Sequence, residues 1–154
     1  MKKHLLILFA ALLPLVASAQ TQVEIDGIWY NLIKKVKTAE VTYKGEYAHS
    51  YDEYSGSITI PATVTYGGVT YSVTSIGDDA FCNCNLTAIT IPESVTSIGD
   101  DAFSCCSNLT TINIPKGVTS IANSAFEGCS SLTSITLPKG VTSIGERAFY
   151  ECSS

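Results

Sequence analysis

From Ile76 onward the chain repeats itself at a nearly fixed interval, and this limits its fold more than any other feature. The segments run 76–97 (IGDDAFCNCNLTAITIPESVTS), 98–120 (IGDDAFSCCSNLTTINIPKGVTS), 121–143 (IANSAFEGCSSLTSITLPKGVTS) and a partial 144–154 (IGERAFYECSS). The period is 22, then 23, then 23 residues. A period in the twenties with Leu-x-x-Ile-x-Ile spacing belongs to solenoids, in which each unit makes one coil and buries its apolar face only against its neighbours.

In register, the apolar positions form columns: Leu86, Leu109 and Leu132; Ile89, Ile112 and Ile135; Ala80, Ala102, Ala125 and Ala148; Phe81, Phe103, Phe126 and Phe149. One residue type returning once per coil implies identical side chains stacked along the solenoid axis. Ile-x-Ile alternates inward and outward, as a strand with one buried face must. Pro92, Pro115 and Pro138 follow each strand and end it, because proline has no N–H for the ladder. The Gly-x-x-Ala-Phe stretch reads as a short helical or 3₁₀ turn whose phenylalanine fills the coil interior. The expected fold is mainly β with such turns, a β-solenoid of three and a half coils.

The pattern Ile-Gly-x-x-Ala-Phe-x-x-Cys-Ser-x-Leu-Thr-x-Ile-x-Ile-Pro-x-x-Val-Thr-Ser resembles the leucine-rich repeats of the BspA-like family of bacterial cell-surface proteins, closely over 76–154 and moderately over 54–75. The resemblance implies a leucine-rich-repeat fold and a habit of adhesion to host matrix proteins and to other bacteria. It implies no catalytic residues.

Residues 20–75 lack the period. VEIDGIWYNL at 23–32 places two apolar arms around Asp26-Gly27, a tight-hairpin signal. ATVTYGGVTYSV at 62–73 predicts a second hairpin at Gly67-Gly68, with a strand over 40–43 and a polar, tyrosine-rich loop over 44–56. ITIP at 58–61 matches the strand end of a repeat, so the solenoid is expected over 58–154 and an N-terminal β-hairpin cap over 20–57. A first coil would otherwise expose its interior. No equivalent cap is expected at the other end, where Ile144, Ala148 and Phe149 sit on an open coil; a fragment, a truncated frame or a coil needing a partner would each read this way.

Residues 1–19 have the layout of a secretory signal peptide: Lys2, Lys3 and His4, then an apolar run from Leu5 to Ala17, then Ala17-Ser18-Ala19. Cleavage is expected between Ala19 and Gln20. The apolar run is shorter than the roughly 20 residues that span a bilayer, so the chain reads as exported and not transmembrane, destined for secretion or the cell surface. Processing removes two lysines and leaves seven basic residues against 14 acidic ones, a net charge of −7 in place of −5. Such a chain lacks the basic footprint of a nucleic-acid binder.

The residues argue against catalysis. Outside the leader, His49 is the only histidine, and no nucleophile of the repeats faces it by pattern. The acids are periodic, and a short solenoid offers no deep pocket for a carboxylate pair. No cofactor is implied. Cys84, Cys106, Cys129 and Cys152 fill one column and read as small buried hydrophobes, with a disulfide inside the column as the alternative. Cys82 and Cys105 lie off that column and are the better candidates for oxidation. Their spacing suits no zinc motif. Asp78-Asp79 and Asp100-Asp101 stack on adjacent coils; they read as caps of the turn that follows, with a calcium site as the alternative.

Trp29, Tyr30, Tyr43, Tyr47, Tyr51, Tyr54, Tyr66 and Tyr71 read mainly as packing that covers the open first coil, and otherwise as a glycan platform. The strands direct Ala88, Thr111 and Ser134 outward, and likewise Thr90, Asn113 and Thr136. This small-residue polar face is the candidate binding surface for an extracellular protein or glycan. It carries no aromatic hot spot, so binding should be weak or multivalent. A structural spacer, or self-association through the open final coil, is the alternative.

Overall fold

A computed structural model describes residues 20–44 and 54–152. The signal-peptide reading of 1–19, His49, Tyr47 and Tyr51 lie outside the described residues. Strands β1 (Gln20–Ile25) and β2 (Ile28–Ile33) form an antiparallel hairpin. Its turn uses positive φ at both Asp26 (51°) and Gly27 (82°), as a two-residue turn between right-twisted strands requires. Strand β3 (Thr38–Thr42) pairs antiparallel with β2. The second hairpin also forms, from β5 (Thr63–Tyr66) and β6 (Val69–Ile76).

The cap joins the repeats through parallel pairing of β3 with β6, in which Val41 lies opposite Ile76. Strand β6 in turn pairs with β8 (Ser97–Ile98), and β10 (Ser120–Ile121) pairs with β11 (Ser143–Ile144). The join copies the repeat. The Gly77 N–H donates to Val41 O at 2.8 Å, just as Gly99 donates to Ile76 O at 2.9 Å and Gly145 to Ile121 O at 2.8 Å. Val41 thus stands where the isoleucine of a preceding lap would stand. A second parallel sheet holds β4 (Ser55–Thr59), β7 (Asn85–Thr90) and β9 (Thr111–Ile112), extended by an isolated bridge from Asn113 to Thr136.

The third side of each lap differs from the expectation. Among the described residues there is no helix. Where the sequence suggests a helical or 3₁₀ turn, successive tight turns form instead: Ala80 N to Gly77 O, Cys82 N to Asp79 O and Cys84 N to Phe81 O, at 3.0–3.3 Å. Asp79, Asp101, Ser124 and Arg147 take φ of 49–56° and break any helical run. The alternate N–H groups then reach the next lap: Asp79 to Asp100 O, Phe81 to Ala102 O and Asn83 to Ser104 O, at 2.8–2.9 Å. A helix would keep those donors within its own coil; the turn ribbon spends them on stacking.

The core runs along the axis. Phe81, Phe103 and Phe126 are fully buried and stack with Phe149 at centroid separations of 5.2, 5.3 and 5.5 Å, with planes within 10° of parallel. Ala80, Ala102, Ala125 and Ala148 and the leucine column are buried beside them. Each phenylalanine contributes about 2–3 kcal/mol of burial, and each ring pair about 1 kcal/mol more. Tyr54 closes the column at the cap end, 4.9 Å from Phe81 and tilted by 58°. Its hydroxyl donates to Thr42 O and accepts the Trp29 N–H, both at 3.0 Å. Tyr30 and Tyr71 are buried as packing, whereas Trp29, Tyr43 and Tyr66 are half-buried.

Candidate recognition face

Parallel pairing brings the outward-facing strand residues into two rows. Ser57 lies beside Ala88 and Ala88 beside Thr111, while Thr59 lies beside Thr90 and Asn113 beside Thr136. Thr90, Thr111, Asn113, Ser134 and Thr136 are exposed and Ala88 is half-buried. Between the rows, Ile58, Ile89 and Ile112 point into the core. The pairings thus place Ala88, Thr90, Thr111, Asn113 and Thr136 in these rows, and Ser134 is exposed outside the paired residues. Ser57 and Thr59 extend the face toward the cap; the ITIP match at 58–61 was the signal for Thr59 and the strand that carries both.

Contacts between laps hold the rim of this face. The Asn108 amide donates to Asn85 Oδ1 at 2.6 Å, and the Thr110 hydroxyl to Thr87 O at 3.0 Å. An open depression of about 530 Å³ borders it, lined by Lys116, Thr136, Leu137, Pro138, Lys139 and Gly140. Seven of the 14 acids, Asp78, Asp79, Asp100, Asp101, Glu127, Glu146 and Glu151, lie on the turn ribbon. There the Asp101 carboxyl is pushed upward by burial and by the charges of Asp79 and Glu127. Arg147 pairs with Glu127 at 2.6 Å and lies over the Tyr150 ring at 4.6 Å.

Asp78 and Asp100, and Asn123 after them, each turn a side-chain oxygen to the next lap. Asp78 Oδ1 accepts the Asp100 N–H, Asp100 Oδ1 accepts the Asn123 N–H and Asn123 Oδ1 accepts the Glu146 N–H, each at 2.9 Å. These oxygens are spent on the next lap. Among the described residues no three His, Cys, Asp or Glu side chains gather as a metal-binding group.

The cysteine column is built the same way. Cys106, Cys129 and Cys152 donate their thiols to the carbonyls of Phe81, Phe103 and Phe126 at 3.0–3.1 Å. Burial pushes the Cys129 thiol up to about 12 and raises Cys106 and Cys152 as well. Cys82, off the axial column, is nonetheless only 6% exposed, and burial, followed by the charge of Asp79, lifts its thiol to about 12. Cys105 is exposed, and all six cysteines are thiols. No described helix is long and apolar enough to cross a membrane.

A ribbon of near-identical laps, buried columns within and a polar strand face without, defines a leucine-rich-repeat solenoid. The profile of the BspA type leucine-rich repeat region matches residues 42–154 in six copies, more than the three and a half coils counted from the sequence. The chain belongs to the BspA-type leucine-rich repeat family. A leucine-rich repeat protein from Bacteroides ovatus is similar at 42% identity and a TM-score of 0.74, over 84% of this chain and 33% of that one. Another from Bacteroides capillosus is 32% identical with a TM-score of 0.66, over 80% of this chain and 86% of that one. A T. pallidum leucine-rich repeat protein shares the fold, with a TM-score of 0.63 at 24% identity over 86% of this chain and 68% of that one. This chain spans about a third of the length of the B. ovatus protein. No curated protein matches the sequence.

Proposed function

We propose that this chain is an exported, non-catalytic recognition module that binds an extracellular protein or glycan at the cell surface through its strand face. The organisation that goes with this reading is a signal peptide at 1–19 cleaved between Ala19 and Gln20, a cap at 20–57 and the solenoid at 58–154. One observation supports it: along the strand face Ala88 lies beside Thr111 and Asn113 beside Thr136, and Thr90, Thr111, Asn113, Ser134 and Thr136 are exposed. A flat ladder of donors and acceptors suits an extended, repeating partner better than a compact one. The protein needs no cofactor for this.

Screening the purified protein on an array of glycans and extracellular-matrix proteins tests the proposal. Binding that disappears when Thr111 and Asn113 become glutamate supports it; silence across the array argues against it. A second reading, self-assembly as a structural element, draws on Ile144 and Tyr150, which are 55% and 50% exposed beside half-buried Phe149. Light scattering separates the two, since a strict monomer at all concentrations excludes self-assembly.

A further inference from the structure

Two cysteines break the repeat in adjacent laps, on backbone segments hydrogen-bonded to each other. In the column of Cys82 the other laps carry Ser104, Glu127 and Tyr150; in the column of Cys105 they carry Asn83, Gly128 and Glu151. The peptide unit that follows Cys82 donates, through the Asn83 N–H, to the peptide unit that precedes Cys105, through Ser104 O, at 2.8 Å. The two Cα atoms are therefore attached to hydrogen-bonded peptide groups on neighbouring laps, the close backbone approach that a disulfide needs. The side chain of Asn83, which holds the position of Cys105 in the lap of Cys82, reaches Cys82 Sγ at 3.4 Å. Cys105 Sγ lies 3.8 Å from the Ser104 hydroxyl, the residue stacked in the column of Cys82. The remaining cysteines occupy the axial column, where Cys106, Cys129 and Cys152 are engaged with phenylalanine carbonyls.

We infer that Cys82 and Cys105 form an oxidation site, closing an inter-lap disulfide that staples the first two complete repeats. Exposed Cys105 reacts first. Its thiolate attacks a disulfide of the oxidant, an oxidised small thiol or a dithiol oxidoreductase, and expels one thiolate. The Cys82 thiolate then attacks Cys105 Sγ and expels the second thiolate. The protein loses two protons and two electrons, and the oxidant's disulfide is reduced to two thiols. Burial of Cys82 makes the second step the slow one. Encounter with such an oxidant outside the cytoplasm rests on the proposed export, but the chemistry does not, so the two fail separately.

The test is peptide mapping by mass spectrometry of the purified full chain, incubated natively with oxidised glutathione and then quenched by alkylation. The expected product is monomeric, lighter by two hydrogens, with a linked Cys82–Cys105 peptide and the axial thiols alkylated only after unfolding. Cys82→Ser, for which Ser104 is the precedent in the same column, should leave Cys105 as a stable glutathione adduct. Cys105→Asn, for which Asn83 is the precedent, should leave Cys82 unmodified. A wild-type chain in which Cys105 stays glutathionylated, pairs between molecules or pairs with Cys106 overturns the inference.

Discussion

Asp100 accepts the backbone N–H of Asn123 at 2.9 Å, and Asp100 in turn donates its own N–H to Asp78. One side chain and one backbone donor thus recur in a line, so the acids of the turn ribbon are joints between laps. Four acidic groups, Asp78, Asp79, Asp100 and Asp101, stand close together there, and their mutual repulsion is offset by this use of two of them as acceptors.

The joint has a price measurable in one substitution. Asp100→Ala removes the acceptor and is expected to cost about 1 kcal/mol. Asp100→Asn keeps the oxygen and sheds a like charge, so it should be neutral or slightly stabilising. Urea unfolding of both variants checks the contrast. Equal losses would mean that the carboxylate acts by charge alone.

Tyr54 couples the cap to the phenylalanine column. Tyr54→Phe preserves the ring contact but strands Thr42 O and the Trp29 N–H, and should destabilise by about 1–3 kcal/mol. Amide exchange should quicken in β2 and β3 more than at Phe126. Uniform quickening would place Tyr54 in a single cooperative unit with all the laps.

Alkali should weaken the fold. Cys82 and Cys129, ordinarily near 9, are raised to about 12, and Tyr30, ordinarily near 10, is raised to about 12, in each case mainly by burial. The folded state therefore holds these protons more tightly than the unfolded chain does. Their contribution is complete below pH 9 and is lost as the pH climbs from about 9 toward 12. Melting temperature followed against pH in reductant should fall across that window, and replacing Cys129 with Ala should shallow the fall. A flat profile would contradict the burial of these groups.

The proposed recognition face should tolerate substitution without loss of fold. Thr111→Glu and Asn113→Glu place charge on exposed positions and are expected to change stability by less than about 0.5 kcal/mol. They should abolish any glycan or matrix-protein binding found for the parent. Binding that survives both variants moves the site elsewhere.

The stacked columns were legible because a buried position repeats its residue type: Phe103 and Phe126 are phenylalanine for the same reason and fill the same place. The hairpins at Asp26-Gly27 and Gly67-Gly68 were legible from turn chemistry. The turn ribbon was not, since Gly-x-x-Ala-Phe has helix-like spacing. Only the left-handed backbone at Asp79, Ser124 and their equivalents shows that each turn is cut short. Asn83 and Gly128, residue types that accept that conformation, were the available sign. The role of Asp78 and Asp100 was hidden because local reading pairs a carboxylate with its own turn, whereas its real donor lies 22 or 23 residues on. The burial of Cys82 was not legible for a related reason: its column holds Ser104, Glu127 and Tyr150, types that give no burial signal.

The winding itself is tested most directly by nuclear Overhauser contacts between phenylalanine rings in a selectively labelled sample. The account predicts a ladder, Phe81 to Phe103, Phe103 to Phe126 and Phe126 to Phe149, with no direct contact from Phe81 to Phe126. Absence of the Phe103–Phe126 contact, or rings open to a solvent relaxation probe, would contradict it.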